Sequence, residues 1–151
     1  MYDQTRAGLL RGRKTMLSMS VAHLRLLRNT SPEKRLVWVD IGGGTGAFFF
    51  SIPLSFSFRN VLIQHCSRLG WNIEAMDPYF PISSFDAVYV IDLCEPLLEI
   101  ARQRFKARGW TNVVCLCQDA TEFVLPEWSD GVHPRGSVSL VTLSYSLSMV
   151  G

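Results

Sequence analysis

Val37-Trp38-Val39-Asp40-Ile41-Gly42-Gly43-Gly44-Thr45-Gly46 is the stretch whose reading decides the fold. Val37 to Val39 are branched and aromatic with no breaker among them, which predicts a short buried β-strand that ends at Asp40. Gly42, Gly44 and Gly46 then alternate with Gly43 and Thr45. Glycine tolerates positive φ and lets a ligand come close to the backbone. A strand that runs into such a loop, with a helix to follow, is the common cradle of a nucleotide. The plainer reading is a glycine-rich turn in an ordinary α/β domain.

The spacing leans away from a dinucleotide. The pyrophosphate fingerprint is G-x-G-x-x-G, with its last glycine in the start of a helix. Here the pattern is D-x-G-x-G-x-G, with an acid two residues before the first glycine. A carboxylate there repels a pyrophosphate and suits a ligand that carries an ammonium group. S-adenosylmethionine carries an α-ammonium and a sulfonium.

Composition sets the bounds around that loop. With 151 residues, 48% hydrophobic and 19% charged, the chain has material for one globular domain with a real core. A net charge of +2 is too weak to argue for nucleic acid. Cys66, Cys94, Cys115 and Cys117 form no C-x-x-C pair and no Cys/His ligand spacing, so no zinc site is expected and reduced intracellular thiols are the plain reading. The N-terminus is polar at once, which argues against a secretory signal, and no apolar run reaches the roughly 20 residues of a membrane span.

Upstream of the strand, Tyr2 to Asn29 read as one helix, or as two broken near Gly8 or Gly12. Leu9, Leu10, Leu17, Val21, Leu24 and Leu27 recur there at three- and four-residue steps. Arg11, Arg13 and Lys14 form a basic patch, either a solvated face or a contact for an acidic or headgroup surface. Asn29-Thr30-Ser31-Pro32 stops the helix. Residues 1–35 form this helical segment and 36–151 a partial ligand-binding α/β domain.

Residues 47–70 interrupt that domain. Ala-Phe-Phe-Phe-Ser-Ile-Pro-Leu-Ser-Phe-Ser-Phe has neither helical period nor strand alternation, and it stands where a helix should begin at once so that its amides face the ligand. Phe, Ser, Leu and Pro share pyrimidine-rich codons. The segment is expected to be non-native, a retained intron or a gene-model error; the alternative is a genuine insertion loop. Trp71 to Met76 then reads as the displaced helix, followed by a turn at Asp77-Pro78 and Pro81.

The rest alternates cleanly. Ala87 to Ile91 is a second strand ending at Asp92. An acid there can accept two hydrogen bonds from a ribose diol, or cap the next helix. In dinucleotide folds that acid follows the glycines by about 20 residues. The gap here is more than twice that, and removing 47–70 restores it. Glu95 to Arg108 is a helix with Pro96 in its first turn, Leu97, Leu98, Ile100, Ala101 and Phe105 on one face, and Gly109 as its stop. Asn112 to Leu116 is a third strand. Asp119 beyond it is placed to accept from an adenine amine, or is a surface loop acid. His133 lies in a polar loop, where a lone histidine carries no argument. Ser137 to Leu143 is a fourth strand, followed by Ser144-Tyr145-Ser146-Leu147-Ser148-Met149. The order predicts an α/β fold: half of a doubly wound parallel sheet with Asp40, Asp92 and Asp119 at strand carboxyl ends.

This ordered set resembles the class I S-adenosylmethionine-dependent methyltransferases over about Leu36 to Met149, apart from the insertion. The words Tyr2-Asp3-Gln4-Thr5-Arg6, Leu9-Leu10-Arg11-Gly12-Arg13, Val39 to Gly46, Trp71-Asn72-Ile73-Glu74-Ala75-Met76, Cys117-Gln118-Asp119-Ala120 and Ser144 to Met149 are similar to the methyltransferase region of fungal betaine lipid synthases. That family makes diacylglyceryl-trimethylhomoserine, and its methyltransferase part methylates the homoserine nitrogen three times. The resemblance implies a Rossmann-like fold truncated after about the fourth strand. It implies S-adenosylmethionine as cofactor and a diacylglyceryl-homoserine lipid as substrate, with no nucleic acid partner. It also implies an intracellular location, cytoplasmic or peripheral to the endoplasmic reticulum membrane. By the same resemblance Gly42, Gly44 and Gly46 pass under the methionine moiety and Asp40 faces its ammonium side. Asp92 holds the ribose, Asp119 the adenine amine, and Tyr145 lies near the methyl group or the acceptor. Two departures stand out. The insertion parts Gly46 from its helix, and Ser139 stands where many methyltransferases carry an acid in the fourth strand. No general base is evident. Tyr145 or Trp71 can face a cationic nitrogen or simply pack in the core. A nicotinamide-dependent oxidoreductase, or a non-functional truncated or misannotated chain, are the alternatives.

Overall fold

A computed structural model of the chain describes residues 11–42, 69–127 and 137–143. In order these form α1 (Arg11–Thr30), β1 (Val37–Ile41), α2 (Trp71–Met76), a 3-10 turn (Ile82–Ser84), β2 (Ala87–Asp92), α3 (Glu95–Ala107), β3 (Val113–Cys117) and β4 (Val138–Leu143). The strands make one four-stranded sheet in the order β3-β2-β1-β4, and every pairing is parallel. This is the α/β fold expected, a partial Rossmann-like sheet.

Side chains alternate across the sheet, as the pleat requires. Trp38, Val88 and Val90 point to one face. There Leu17, Val21 and Leu24 of α1, Ile73 and Met76 of α2, and Leu97, Leu98, Ala101 and Phe105 of α3 cover them. Val37, Val39, Ile41, Tyr89 and Ile91 point to the other face, against Leu116 of β3 and Phe123 and Leu125 from the segment after it. The chain therefore covers one face while it lays down β1, β2 and β3, and crosses the opposite face on its way to β4. That reversal makes the sheet doubly wound and places its switch point between β1 and β4. Burial on both faces explains why β1 and β2 read as nearly unbroken apolar runs.

Element boundaries differ from the sequence reading in small ways with clear causes. Asp40 does not end β1: it pairs in register with Val90, and the strand continues through Ile41. The helix runs through Gly12 without a break; a break near Gly8 would lie outside the described residues. β3 begins at Val113 rather than Asn112 because the Asn112 side chain turns back, its amide donating to the carbonyls of Ile82 (2.8 Å) and Phe85 (2.9 Å). Of the suspected insertion, residues 47–68 lie outside the described residues. Leu69 and Gly70 do not: Leu69 is buried in the core, and Gly70 opens α2 with φ of 77°.

Candidate functional site

Parallel pairing brings all the strand carboxyl ends to one edge of the sheet, and the register fixes which residues meet there. Asp92 ends β2 opposite Cys117 of β3. The Gly42 amide donates to the Ile91 carbonyl at 2.9 Å, which extends the β1–β2 ladder by one residue and sets Gly42 beside Asp92. Asp119 follows Cys117 by two residues. Gly42, Asp92 and Asp119 thus stand at the ends of three adjacent strands. Gly44, Gly46 and Tyr145 lie outside the described residues.

Gly42 has φ of 62°, a left-handed conformation that costs an L side chain roughly 1–2 kcal/mol. This explains a glycine there without reference to any ligand, and it also bares the backbone at the strand end. Asp92 is 9% exposed. Its Oδ1 accepts the Cys94 amide at 2.8 Å, and its carbonyl accepts the Gln118 amide at 3.2 Å. The first bond closes the turn between β2 and α3 and holds the carboxylate rigidly at the edge. It reaches the residue before the helix rather than an amide within the first turn, so Asp92 braces the turn instead of capping the helix. Asp119 is exposed. Its Oδ1 accepts the Thr121 hydroxyl (2.6 Å) and the Thr121 amide (2.8 Å), and these bonds hold its carboxyl below the usual carboxylate range. Such an anion is a ready acceptor for an N–H donor.

Asp40 differs from the other two. It is 0% exposed, under α2 on the same face as Trp38. Its Oδ1 accepts the Asn72 amide at 2.7 Å and the Thr142 hydroxyl at 2.5 Å, and Thr142 Oγ1 in turn accepts the Trp38 indole N–H at 2.9 Å. A single carboxylate oxygen thereby ties β1, β4 and α2 together at the switch point, two residues before Gly42. These bonds offset part of the cost of burying a polar side chain there. Asp40 sits behind the turn, and its influence at the edge runs through the strand end that it anchors.

Reading the sequence did not single out Asn72, Thr142 or the indole of Trp38 as a unit. Their signal was faint: one of two hydroxyl residues in an otherwise apolar strand, and one amide at the start of a short helix. Ser139 lies at the opposite end of β4, where its hydroxyl donates to the Arg35 carbonyl at 3.4 Å. The β4 residue that reaches the switch point is Thr142, so the missing acid at Ser139 leaves the Asp40 cluster intact. Cys117 is exposed near the edge, with burial and the Glu95 carboxylate raising its thiol pKa, which disfavours the reactive thiolate.

No family model, curated protein or solved structure matches the chain. Among the described residues no helix is long and apolar enough to cross a membrane.

Proposed function

We propose that the chain carries the S-adenosylmethionine-binding part of a class I methyltransferase, one that methylates the nitrogen of a homoserine-linked diacylglycerol. One observation supports it above the rest: Gly42, Asp92 and Asp119 end three neighbouring parallel strands, beside a switch point built on Asp40. Ligands of open α/β sheets bind in that crevice. The acceptor rests on the resemblance alone.

The residues present fit such a cofactor. Gly42 offers bare backbone to its methionine part. A rigid strand-end carboxylate at Asp92 accepts both hydroxyls of a ribose diol, and Asp119 accepts an adenine amine. The cofactor, when bound, supplies a methyl group on a sulfonium, which is already a strong donor. The protein's share would be alignment: the fixed strand ends would hold the donor for in-line transfer, and Tyr145, by the resemblance, would lie near the methyl group or the acceptor.

Titration calorimetry with S-adenosylhomocysteine tests the proposal, on the full chain and on a version that joins Gly46 to Trp71. Binding is expected in at least one of them, weakened about tenfold or more by Asp92→Asn, since a hydrogen bond to a charged acceptor contributes roughly 1.5–3 kcal/mol. Binding by the shortened version alone would assign the activity to the uninterrupted protein. Folded protein that binds NADH instead would establish an oxidoreductase, and folded protein that binds neither ligand would overturn the proposal.

A further inference from the structure

Ser31-Pro32-Glu33-Lys34 forms the turn between α1 and β1, and the strand-end crevice makes no use of it. The Ser31 amide donates to the Leu27 carbonyl at 2.9 Å, in continuation of the helix, and the Lys34 amide donates back to the Ser31 carbonyl at 3.0 Å. Pro32 fixes φ at the second position of that turn. The surroundings are open: Asn29, Thr30 and Pro32 to Arg35 are exposed, and Ser31 is half-buried. On either side the chain is anchored, by Leu24 in the core and by the Leu36 amide on Asp86 Oδ2 at 2.7 Å. Opening the turn therefore frays one helix end and leaves the sheet in place, the least costly kind of opening in a folded chain. A proline stops a helix whatever residue stands before it and wherever the next cation falls. Helix termination thus accounts for Pro32 but requires neither the hydroxyl of Ser31 nor the cation of Lys34.

We propose that Ser31 is a phosphoryl acceptor for a proline-directed serine/threonine protein kinase. Such an enzyme receives the residue after its target serine in a pocket that offers no acceptor to a backbone N–H. Proline has no N–H to leave unpaired there, whereas every other residue does. A cation three residues after the serine meets an acidic patch on the enzyme. Ser31, Pro32 and Lys34 supply the hydroxyl, the imide and the cation at that spacing, and Ser31-Pro32 is the one Ser-Pro or Thr-Pro pair in the sequence. In the transfer the bond from the γ-phosphorus of Mg-ATP to its bridging oxygen breaks and a bond from Ser31 Oγ to that phosphorus forms. ADP leaves, and the hydroxyl proton passes to the kinase's aspartate. The inference is independent of the proposed methyl transfer, since phosphate uptake is read with neither S-adenosylmethionine nor a lipid present.

The test is incubation of the full chain with a purified proline-directed kinase and Mg-ATP labelled on its γ-phosphate, with the phosphate mapped by mass spectrometry of the tryptic peptides. Incorporation at Ser31 is expected, lost in Ser31→Ala and kept in Ser31→Thr. Pro32→Ala is expected to slow it about tenfold or more, since an N–H then goes unpaired in the kinase, and Lys34→Ala about threefold. These substitutions lie at the turn, outside the core, and the circular dichroism of the wild type is expected for each. A folded chain that takes up no phosphate at Ser31 overturns the inference. So do Pro32→Ala and Lys34→Ala rates equal to that of the wild type, which would make exposure alone the cause, or uptake by Ser31→Ala undiminished from the wild type.

Discussion

Two glycines with nearly the same backbone angle separate conformational strain from packing. Gly70 and Gly109 have φ of 77° and 72°. A Cβ on Gly109 meets nothing within 4 Å, whereas one on Gly70 falls 2.2 Å from Cζ of the buried Phe105 ring. Gly109→Ala is therefore expected to cost only the roughly 1–2 kcal/mol of a left-handed L-residue. Gly70→Ala adds overpacking of about 1–3 kcal/mol. Urea unfolding of the two variants measures the difference; equal losses would refute the close approach. Thr142→Val keeps the shape of its side chain but takes a donor from Asp40 and an acceptor from the Trp38 indole, and should lower stability by about 2–4 kcal/mol by the same assay. Cys115 makes a pH prediction. Burial pushes its thiol up to about 11, while in the unfolded chain it ionises near the ordinary 9. A raised folded-state pKa contributes stability that is complete below about pH 9 and lost as pH climbs towards about 11. Across that window the chain should lose about 2–3 kcal/mol that Cys115→Ala does not lose, read from urea midpoints at both ends.

At the scale of elements, α2 has only six residues and is too short to stand alone. Its place depends on its ties: Asn72 to Asp40 beneath it, and Glu74 to α3. Arg104 donates to Glu74 Oε1 from both Nε, at 3.0 Å, and Nη2, with both side chains largely buried. Glu74→Ala is expected to cost about 1–3 kcal/mol, more than an exposed ion pair contributes, because Arg104 is left partly buried without its anion. A double-mutant cycle with Arg104→Ala checks this, and a coupling near zero would place α2 by packing alone. These elements were legible from the chain because their signals are local: periodicity in α1 and α3, Pro96 at the start of α3, Gly109 after it, apolar runs in the strands. Their ends were less legible. The register with β2 carries β1 past Asp40, and Asn112 is diverted by two carbonyls that no local pattern announces.

For the molecule as a whole, the position of Leu69 bears on the long segment after the glycine loop. Leu69 is a core residue, and its carbonyl accepts the Arg104 guanidinium at 3.3 Å. Leu69 thus belongs to the core although it lies two residues before Trp71, where composition placed the end of the insertion. A chain that joins Gly46 to Trp71 puts Gly46 where Gly70 supplies its positive φ, but puts Thr45 in place of a buried leucine. It should be less stable than a chain that joins Gly46 to Leu69, by about 2–4 kcal/mol in chemical unfolding. Equal stabilities would show that Leu69 is not required by the core.

From the chain alone came the class of fold, its strands in sequence, and the acids Asp92 and Asp119 at strand ends, with Asp40 read as a third. These depend on hydrophobic period, glycine and charge, which act over a few residues. The tertiary structure alone gave the acids different roles. All three look alike as carboxylates at the ends of apolar runs, yet Asp92 and Asp119 stand at the edge while Asp40 is enclosed by Asn72 and Thr142. That difference arises from partners 32 and 102 residues away along the chain. No local pattern encodes it, because it exists only once β4 has crossed the sheet to lie beside β1.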